Sequence, residues 1–458
     1  MPTVRRTLRP FCLCLFSLLL LLSLQTGQAK TERDPSDPLS ETDRLALILA
    51  PQPGKDPLDR ELARLQDKIR ANRAAKPQIL QLGWIFVSRA RMTGDPGYYK
   101  MAEECAQLSG DESASLLLRG HIDHALHRFA EAEAVAHRLV TEKNPGWQAY
   151  ALLGDALMEQ GKLTEAIPVY QRMIDLRPCL QTYARVAHLR WLKGDLSGAE
   201  ELMRLAVEAG SSRDPEPAAW AYTRLALYQL QAHETKEASW SVDRALEFVK
   251  NYAAAMALRS KLEVQRGQPA AAVDSLRIAV AQVPLPEYQW ALIDAAELAG
   301  DHDLVAKTEH ALQTRGASED PRSFALYLAS HQKDPALAFR LAEEELSTRR
   351  DVLSYDAVAW TALAAGRVEE ASENMKCALA EGTSDARLFY HAGKIAAANG
   401  SKKEAISWIE RAAGLQQMLL PSEKSDLAAQ AIILGVSLAA ESVQTTKLKM
   451  AQTASHKR

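Results

Sequence analysis

One spacing constrains this chain more than anything else in it. Around Gly366 it reads Val352, Tyr355, Val358, Gly366, Ala371, Met375 and Ala378; thirty-four residues on, around Gly400, it reads Ala386, Phe389, Ala392, Gly400, Ala405, Ile409 and Ala412. A small residue marks the same place in further copies: Ala132, Ala166, Ala199, Ala238, Ala272, Val305, Ala338, Ala371 and Ala405, with steps of 34, 33, 39, 34, 33, 33, 33 and 34. A second ruler agrees with the first. Gly161, Gly194, Gly267, Gly300, Gly366 and Gly400 each stand five residues before the small residue of their copy. A helix that ends in a tight turn needs a residue tolerating positive φ at that place. A fixed period of this length is the mark of a solenoid. The one long step contains Ser211-Ser212-Arg213-Asp214-Pro215-Glu216-Pro217, which reads as an inserted loop.

The physics of each copy follows from residue size. Gly154, Ala166, Gly393 and Ala405 let two antiparallel helices approach closely. Tyr150, Tyr170, Phe389 and Ile409 are large enough to fill the space between neighbouring copies. One helix pair cannot bury its apolar face alone, so stacking supplies the core and the two ends need caps.

The best copy carries a resemblance. Tyr150, Leu153-Gly154, Leu157, Gly161, Ala166, Tyr170, Met173 and Pro178 give an aromatic, a leucine–glycine pair, a turn glycine, an alanine, an aromatic and a closing proline in order. This resembles the tetratricopeptide repeat. The copy at 386–418 keeps Phe389, Ala392-Gly393, Gly400, Ala405, Ile409 and Ala412. The copy at 253–284 keeps Gly267, Ala272, Leu276, Ala279 and Pro284 but has Met256 and Ser260 at the aromatic and glycine places. Copies near 286–316 and 319–350 are degenerate; an earlier one at 76–106 has Leu82-Gly83 and Ala102. The resemblance implies an all-α, right-handed superhelical solenoid of about nine helix pairs over 76–418. Asp320-Pro321-Arg322, Arg350-Asp351-Val352, Asp356-Ala357 with Trp360, and the run from Gly382-Thr383 to Tyr390-His391-Ala392-Gly393 are also similar to exported bacterial members of undefined function.

The ends differ from the middle. Arg5, Arg6 and Arg9 precede an apolar run from Phe11 to Leu24, and Gly27-Gln28-Ala29 offers small residues for cleavage after Ala29. That is the pattern of a signal peptide over 1–29. A membrane helix needs about 20 apolar residues, so the run is read as a cleaved signal rather than an anchor. Removing it leaves 52 basic against 58 acidic residues, a formal charge of −6. A mildly acidic protein is a poor nonspecific binder of nucleic acid. Cys105, Cys179 and Cys377 are odd in number and far apart, so they read as small apolar residues or free thiols. Residues 30–75 read as a leader with a short helix from Glu41 to Ala50 and a longer one from Leu58 to Ala75. Residues 419–458 read as a capping helix, Leu427 to Ala440, and a basic tail, with no membrane span in the mature chain.

Catalytic spacings are absent: there is no H-E-x-x-H, G-x-S-x-G, G-x-G-x-x-G or Walker loop. No cofactor is expected. His121 and His124 would share a helix face, and a pair at that spacing can hold Zn²⁺ or Cu²⁺. An exported metal-binding protein is therefore the rival reading, with a non-catalytic subunit of an envelope enzyme complex as another. The resemblance implies instead a concave groove lined by the first helix of each pair. The candidates are Asp155, Met158, Glu159, His188, Trp191, Trp220, Leu227, Lys261, Trp360, Tyr390 and Lys394. Aromatics in such a groove can anchor a peptide, or they can pack between neighbouring pairs. The paired Lys and Asn of the family's carboxylate clamp are missing, since Ala151, Asp155, Ala184 and His188 stand there. The expectation is a non-catalytic scaffold, exported to the periplasm or beyond the cell, that holds a protein or peptide in its groove.

Overall fold

A computed structural model describes residues 39–438 apart from Pro53 and Lys55. The expected signal peptide and the basic tail from 439 onward lie outside the described residues. Two helices come first, α1 (Glu41–Ile48) and α2 (Pro57–Ala71). Ten antiparallel pairs follow: α3 (Lys76–Thr93) with α4 (Gly97–Ser109), α5 (Ser113–Ala125) with α6 (Phe129–Val140), α7 (Trp147–Glu159) with α8 (Leu163–Leu176), α9 (Leu180–Leu192) with α10 (Leu196–Glu208), and α11 (Pro215–Gln231) with α12 (Thr235–Phe248). The array continues through α13 (Ala253–Gln265) with α14 (Pro269–Gln282), α15 (Pro286–Ala299) with α16 (His302–Glu319), α17 (Pro321–Ser330) with α18 (Pro335–Thr348), α19 (Val352–Ala364) with α20 (Val368–Leu379), and α21 (Ala386–Ala398) with α22 (Lys402–Gly414). A short 3-10 turn, Gln416–Met418, leads to α23 (Pro421–Leu434). The count exceeds nine by one because the degenerate first copy around Ala102 forms a full pair.

Local signals set the helix ends. All six turn glycines of the second ruler have φ between 70° and 78°. Where the copy lacks glycine the same turn is made by His127 (φ 58°) and His233 (φ 65°). Proline sits in the first turn of α11, α15, α17, α18 and α23, where no intrahelical N–H is needed. Aspartates cap α10, α16, α17, α18, α19 and α21 by accepting an early backbone amide. The inserted loop is shorter than the sequence suggests. Only Ser211 to Asp214 form a turn, and Pro215 starts a seventeen-residue α11 that absorbs the rest.

Within a pair the small-against-large rule holds. A Cβ on Gly154 would lie 2.4 Å from the Tyr170 ring, so the two helices of that pair meet through glycine. Ala132, Ala166, Ala199, Ala238, Ala272, Ala338, Ala371 and Ala405 are all fully buried. Burying a Leu, Ile or Met side chain such as Met173 or Ile409 contributes roughly 1.5–3 kcal/mol.

The solenoid also touches itself, turn upon turn. The turn after α7 receives the loop between α18 and α19: the Arg350 amide donates to the Glu159 carbonyl at 3.0 Å, and Arg349 pairs with the Glu159 carboxylate at 2.5 Å. The turn after α9 receives the loop between α20 and α21: Lys193 meets Glu381 at 2.6 Å, and the Thr383 hydroxyl donates to the Leu192 carbonyl. The turn after α11 receives the segment behind α22: His233 donates to the Gly414 carbonyl at 2.9 Å, and Gln417 to the carbonyls of Leu230 and Gln231 at 3.2 Å. Each contact joins a pair to the loop closing the pair five further on. Together they form a seam between successive turns of the superhelix.

Candidate partner-binding groove

Asp155 and the residues at repeat spacing from it form one ladder on the first helices. Its rungs are His121, Asp155, His188, Leu227, Lys261, Asp294, Tyr327, Trp360 and Lys394. Sequence reasoning placed six of these nine in the groove and named a seventh, His121, as a candidate metal ligand. Asp294 and Tyr327 were missed because their copies are degenerate, although the spacing alone marks both.

The lower rungs are held within the chain. Arg185 donates through Nε to both Asp155 carboxylate oxygens at 2.9 Å, and the Tyr170 hydroxyl donates to Asp155 at 2.7 Å. Burial by itself would push the Asp155 carboxyl up, but Arg185, His124 and the Tyr170 hydroxyl together hold the group below the ordinary carboxylate value. Met158 is buried behind it. His188 stacks on Trp191 with ring centres 5.6 Å apart, and Arg224 lies 3.2 Å from its Nδ1. Burial first, and Arg224 second, push the His188 imidazole down to about 3. It is therefore neutral near pH 7, and its Nδ1 accepts from Arg224. Trp191 is only 7% exposed and donates to Gln231 at 2.8 Å. Trp220 and Leu227 are half-buried against the core.

The histidine pair follows the same logic. His121 tilts against Trp84 and His124 stands edge-on to Phe129, both at 5.3 Å. Burial lowers both imidazoles, that of His121 to about 3, which favours neutral rings packed on aromatics. Among the described residues no group of three or more His, Cys, Asp or Glu side chains is placed to hold a metal ion. Asp301, beside His302, caps α16 through the Leu304 amide at 3.1 Å. Cys105 is buried, Cys179 half-buried and Cys377 exposed, all as free thiols.

The upper rungs hold the end of the chain. Lys261 donates to the Met418 carbonyl, and burial lowers its ammonium from the usual lysine value. Asp294 accepts the Ser422 amide at 2.7 Å, and Trp290, one turn before it, donates to the Ser422 hydroxyl at 3.2 Å. Lys394 and the Tyr390 hydroxyl both donate to Asp426, the former at 2.7 Å. Trp360 is 5% exposed, stacks on His391 at 4.0 Å and donates to Ser330 at 3.0 Å. Lys261, Tyr390 and Lys394, expected to face a partner, thus hold the chain's own segment 416–426. The capping helix expected from Leu427 to Ala440 starts earlier: it runs from Pro421 to Leu434, stops at Gly435 with φ 77°, packs against α22, and reaches rungs of α15 and α21 through Ser422 and Asp426. No described helix is long and apolar enough to cross a membrane.

Among solved structures, a tetratricopeptide repeat protein from Parabacteroides merdae is 17% identical, over 71% of this chain and 99% of that one, with a TM-score of 0.31. Cut9–Hcn1, a hetero-tetramer of the APC/C, is 13% identical over 85% of this chain and 98% of that one, TM-score 0.31. YrrB, a TPR protein with an unusual peptide-binding site, is 14% identical over 42% and 95%, TM-score 0.26. No curated protein matches the chain. The sequence pattern described as Tetratricopeptide repeat matches residues 117–178, 257–308 and 358–417. These regions lie at the front, middle and back of one array of helix pairs, so the array carries tetratricopeptide repeats over these residues, with the architecture of a protein–protein interaction scaffold.

Proposed function

We propose that this chain is a non-catalytic scaffold of the bacterial cell envelope that holds a protein or peptide against the inner face of its superhelix. The observation that carries the reading is the inner ladder. It places lysines, acids and ring systems at one register over nine successive pairs, and its upper rungs carry a helix of the chain itself. Helices fixed by stacking present such a surface with little ordering cost on the receptor side. The cationic start and apolar run before residue 30 support export, to the periplasm or outside the cell.

The test is capture from envelope extract with residues 30–458 as bait, beside a bait carrying Trp220→Ala, Lys261→Ala and Lys394→Ala. A partner lost by the second bait at unchanged helicity supports the inner face. A partner held equally by both overturns it in favour of the outer face, where Trp240 is 56% exposed beside Tyr222. Fractionation of cells expressing the full chain tests export; signal confined to the cytosol would remove that part.

A further inference from the structure

We propose that the groove between α15 and α21 is a receptor for an acidic amphipathic helix, and that α23 is its resident occupant, which a partner helix of like chemistry displaces. This rests on the inner-face reading above and names the class of partner. Four observations lead to it.

The first is burial. Glu423, Leu427, Ala428 and Ala431 of α23 are buried. The other residues from Pro421 to Gln430 are half-buried, with the Asp426 side chain 44% exposed, so the helix is seated by one face until its last turn.

The second is charge. Glu423 and Asp426 stand three apart, so they share one face. Arg387 grips Glu423 at 2.5 Å while lying over the Trp290 ring, and Lys394 grips Asp426 at 2.7 Å. Lys261 holds the carbonyl of Met418 just ahead of the helix. Three groove cations thus face two acids and a carbonyl of one short segment. Leu427, Ala428 and Ala431 supply the apolar seat.

The third is the helix N-terminus. The Ser422 amide, which has no partner inside its own helix, is received by Asp294 from the opposite wall. The groove therefore recognises a helix start as well as its side chains. Asp294 Oδ1 is buried with no partner of its own, leaving a further acceptor beside it.

The fourth is connectivity. α23 follows all ten pairs and is joined to them by the short stretch 415–420. Its release leaves every pair whole. Its last turn carries Ile432 and Ile433, 65% and 74% exposed. These two residues give a competing helix a first foothold from which exchange proceeds towards Pro421.

The experiment uses the full chain and a fluorescent synthetic peptide of residues 415–438. A Leu427→Asp, Ala431→Asp variant puts charge into the apolar seat and frees α23. We expect that variant to bind the peptide at least about tenfold tighter than the unmodified chain. Hydrogen exchange should rise over 421–434 and stay low over α3 to α22. A peptide carrying Glu423→Gln and Asp426→Asn should bind at least about tenfold more weakly than the parent peptide. Release of α23 without peptide binding would overturn the proposal, as would equal binding of the neutral peptide. Loss of helicity across the array would also overturn it, because α23 would then be part of the core rather than an occupant, and continued protection of α23 in the variant would overturn it as non-exchangeable. If the peptide fails while the envelope bait still loses its partner on inner-face substitution, the scaffold reading stands and this one falls.

Discussion

The backbone amide of Ser422 donates to the carboxylate of Asp294 at 2.7 Å, across 128 residues of sequence. Burial pushes the Asp294 carboxyl up to about 7, against the pull of its hydrogen bonds with Ser422. The folded chain therefore binds a proton that the unfolded chain has already lost between about pH 4 and pH 7. Stability must fall as pH rises through that window. Asp294→Asn removes the ionisation and keeps an acceptor for the amide. Thermal melts should show the variant more stable than the parent at pH 8, by about 1–2 kcal/mol, and little different at pH 4.5. Equal effects at both values would show that Asp294 does not titrate in the fold.

The seam predicts a difference between two glycines of the same conformation. Gly161 and Gly366 both have φ near 75°. Either one changed to Ala meets the left-handed cost of roughly 1–2 kcal/mol. A Cβ on Gly161 would lie 2.3 Å from the Arg350 carbonyl oxygen, whereas Gly366 faces open space. Gly161→Ala should cost roughly a further 1–3 kcal/mol in urea unfolding, as overpacking does, and should raise exchange at residues 349–351. Equal losses in the two variants would show that the seam yields freely.

His121 and His188 predict an acid response of opposite sign to that of Asp294. Both imidazoles are pushed down to about 3, chiefly by burial. Between roughly pH 6.5 and pH 3 the unfolded chain binds protons at these sites that the folded chain refuses, so their contribution to stability falls as pH falls. Their ring proton signals in NMR should show no titration step between pH 7 and pH 5. A midpoint near 6.5 for either buried ring would contradict the packing described.

Asp356 and His391 form a buried pair, with Nδ1 at 2.9 Å and 3.0 Å from the two carboxylate oxygens. His391→Leu removes the one partner and strands a carboxylate in the core. A loss of about 3 kcal/mol is expected. Adding Asp356→Leu should restore part of it, and the double-mutant cycle measures the coupling. If the double variant is as unstable as the sum of the singles, the pair is not coupled.

Much of the fold was legible because it is local. Gly161 and Ala166 state a turn and a close approach within six residues and are found in those roles, whereas Tyr170, expected between neighbouring copies, packs on Gly154 of its own pair. The seam was not legible. Glu159 and Arg349 are 190 residues apart, and the same repeat spacing serves an open or a closed superhelix. The placement of α23 was only half visible. The helix was expected from Leu427 to Ala440 on its apolar run, whereas Pro421 starts it and Gly435 stops it. The groove candidates were found by register. The partners of Trp191 and Trp360, Gln231 and Ser330, are second contacts that register does not name.

The seam changes how the array responds to load. An ordinary solenoid is a spring whose repeats yield one after another, because each touches only its neighbours. Here Arg349, Glu381 and Gly414 bolt one coil to the next. Tension applied between residues 39 and 438 would be carried first by those cross-ties in parallel. The chain would resist as a coiled block, give way in one abrupt event when the ties part, and only then lengthen repeat by repeat.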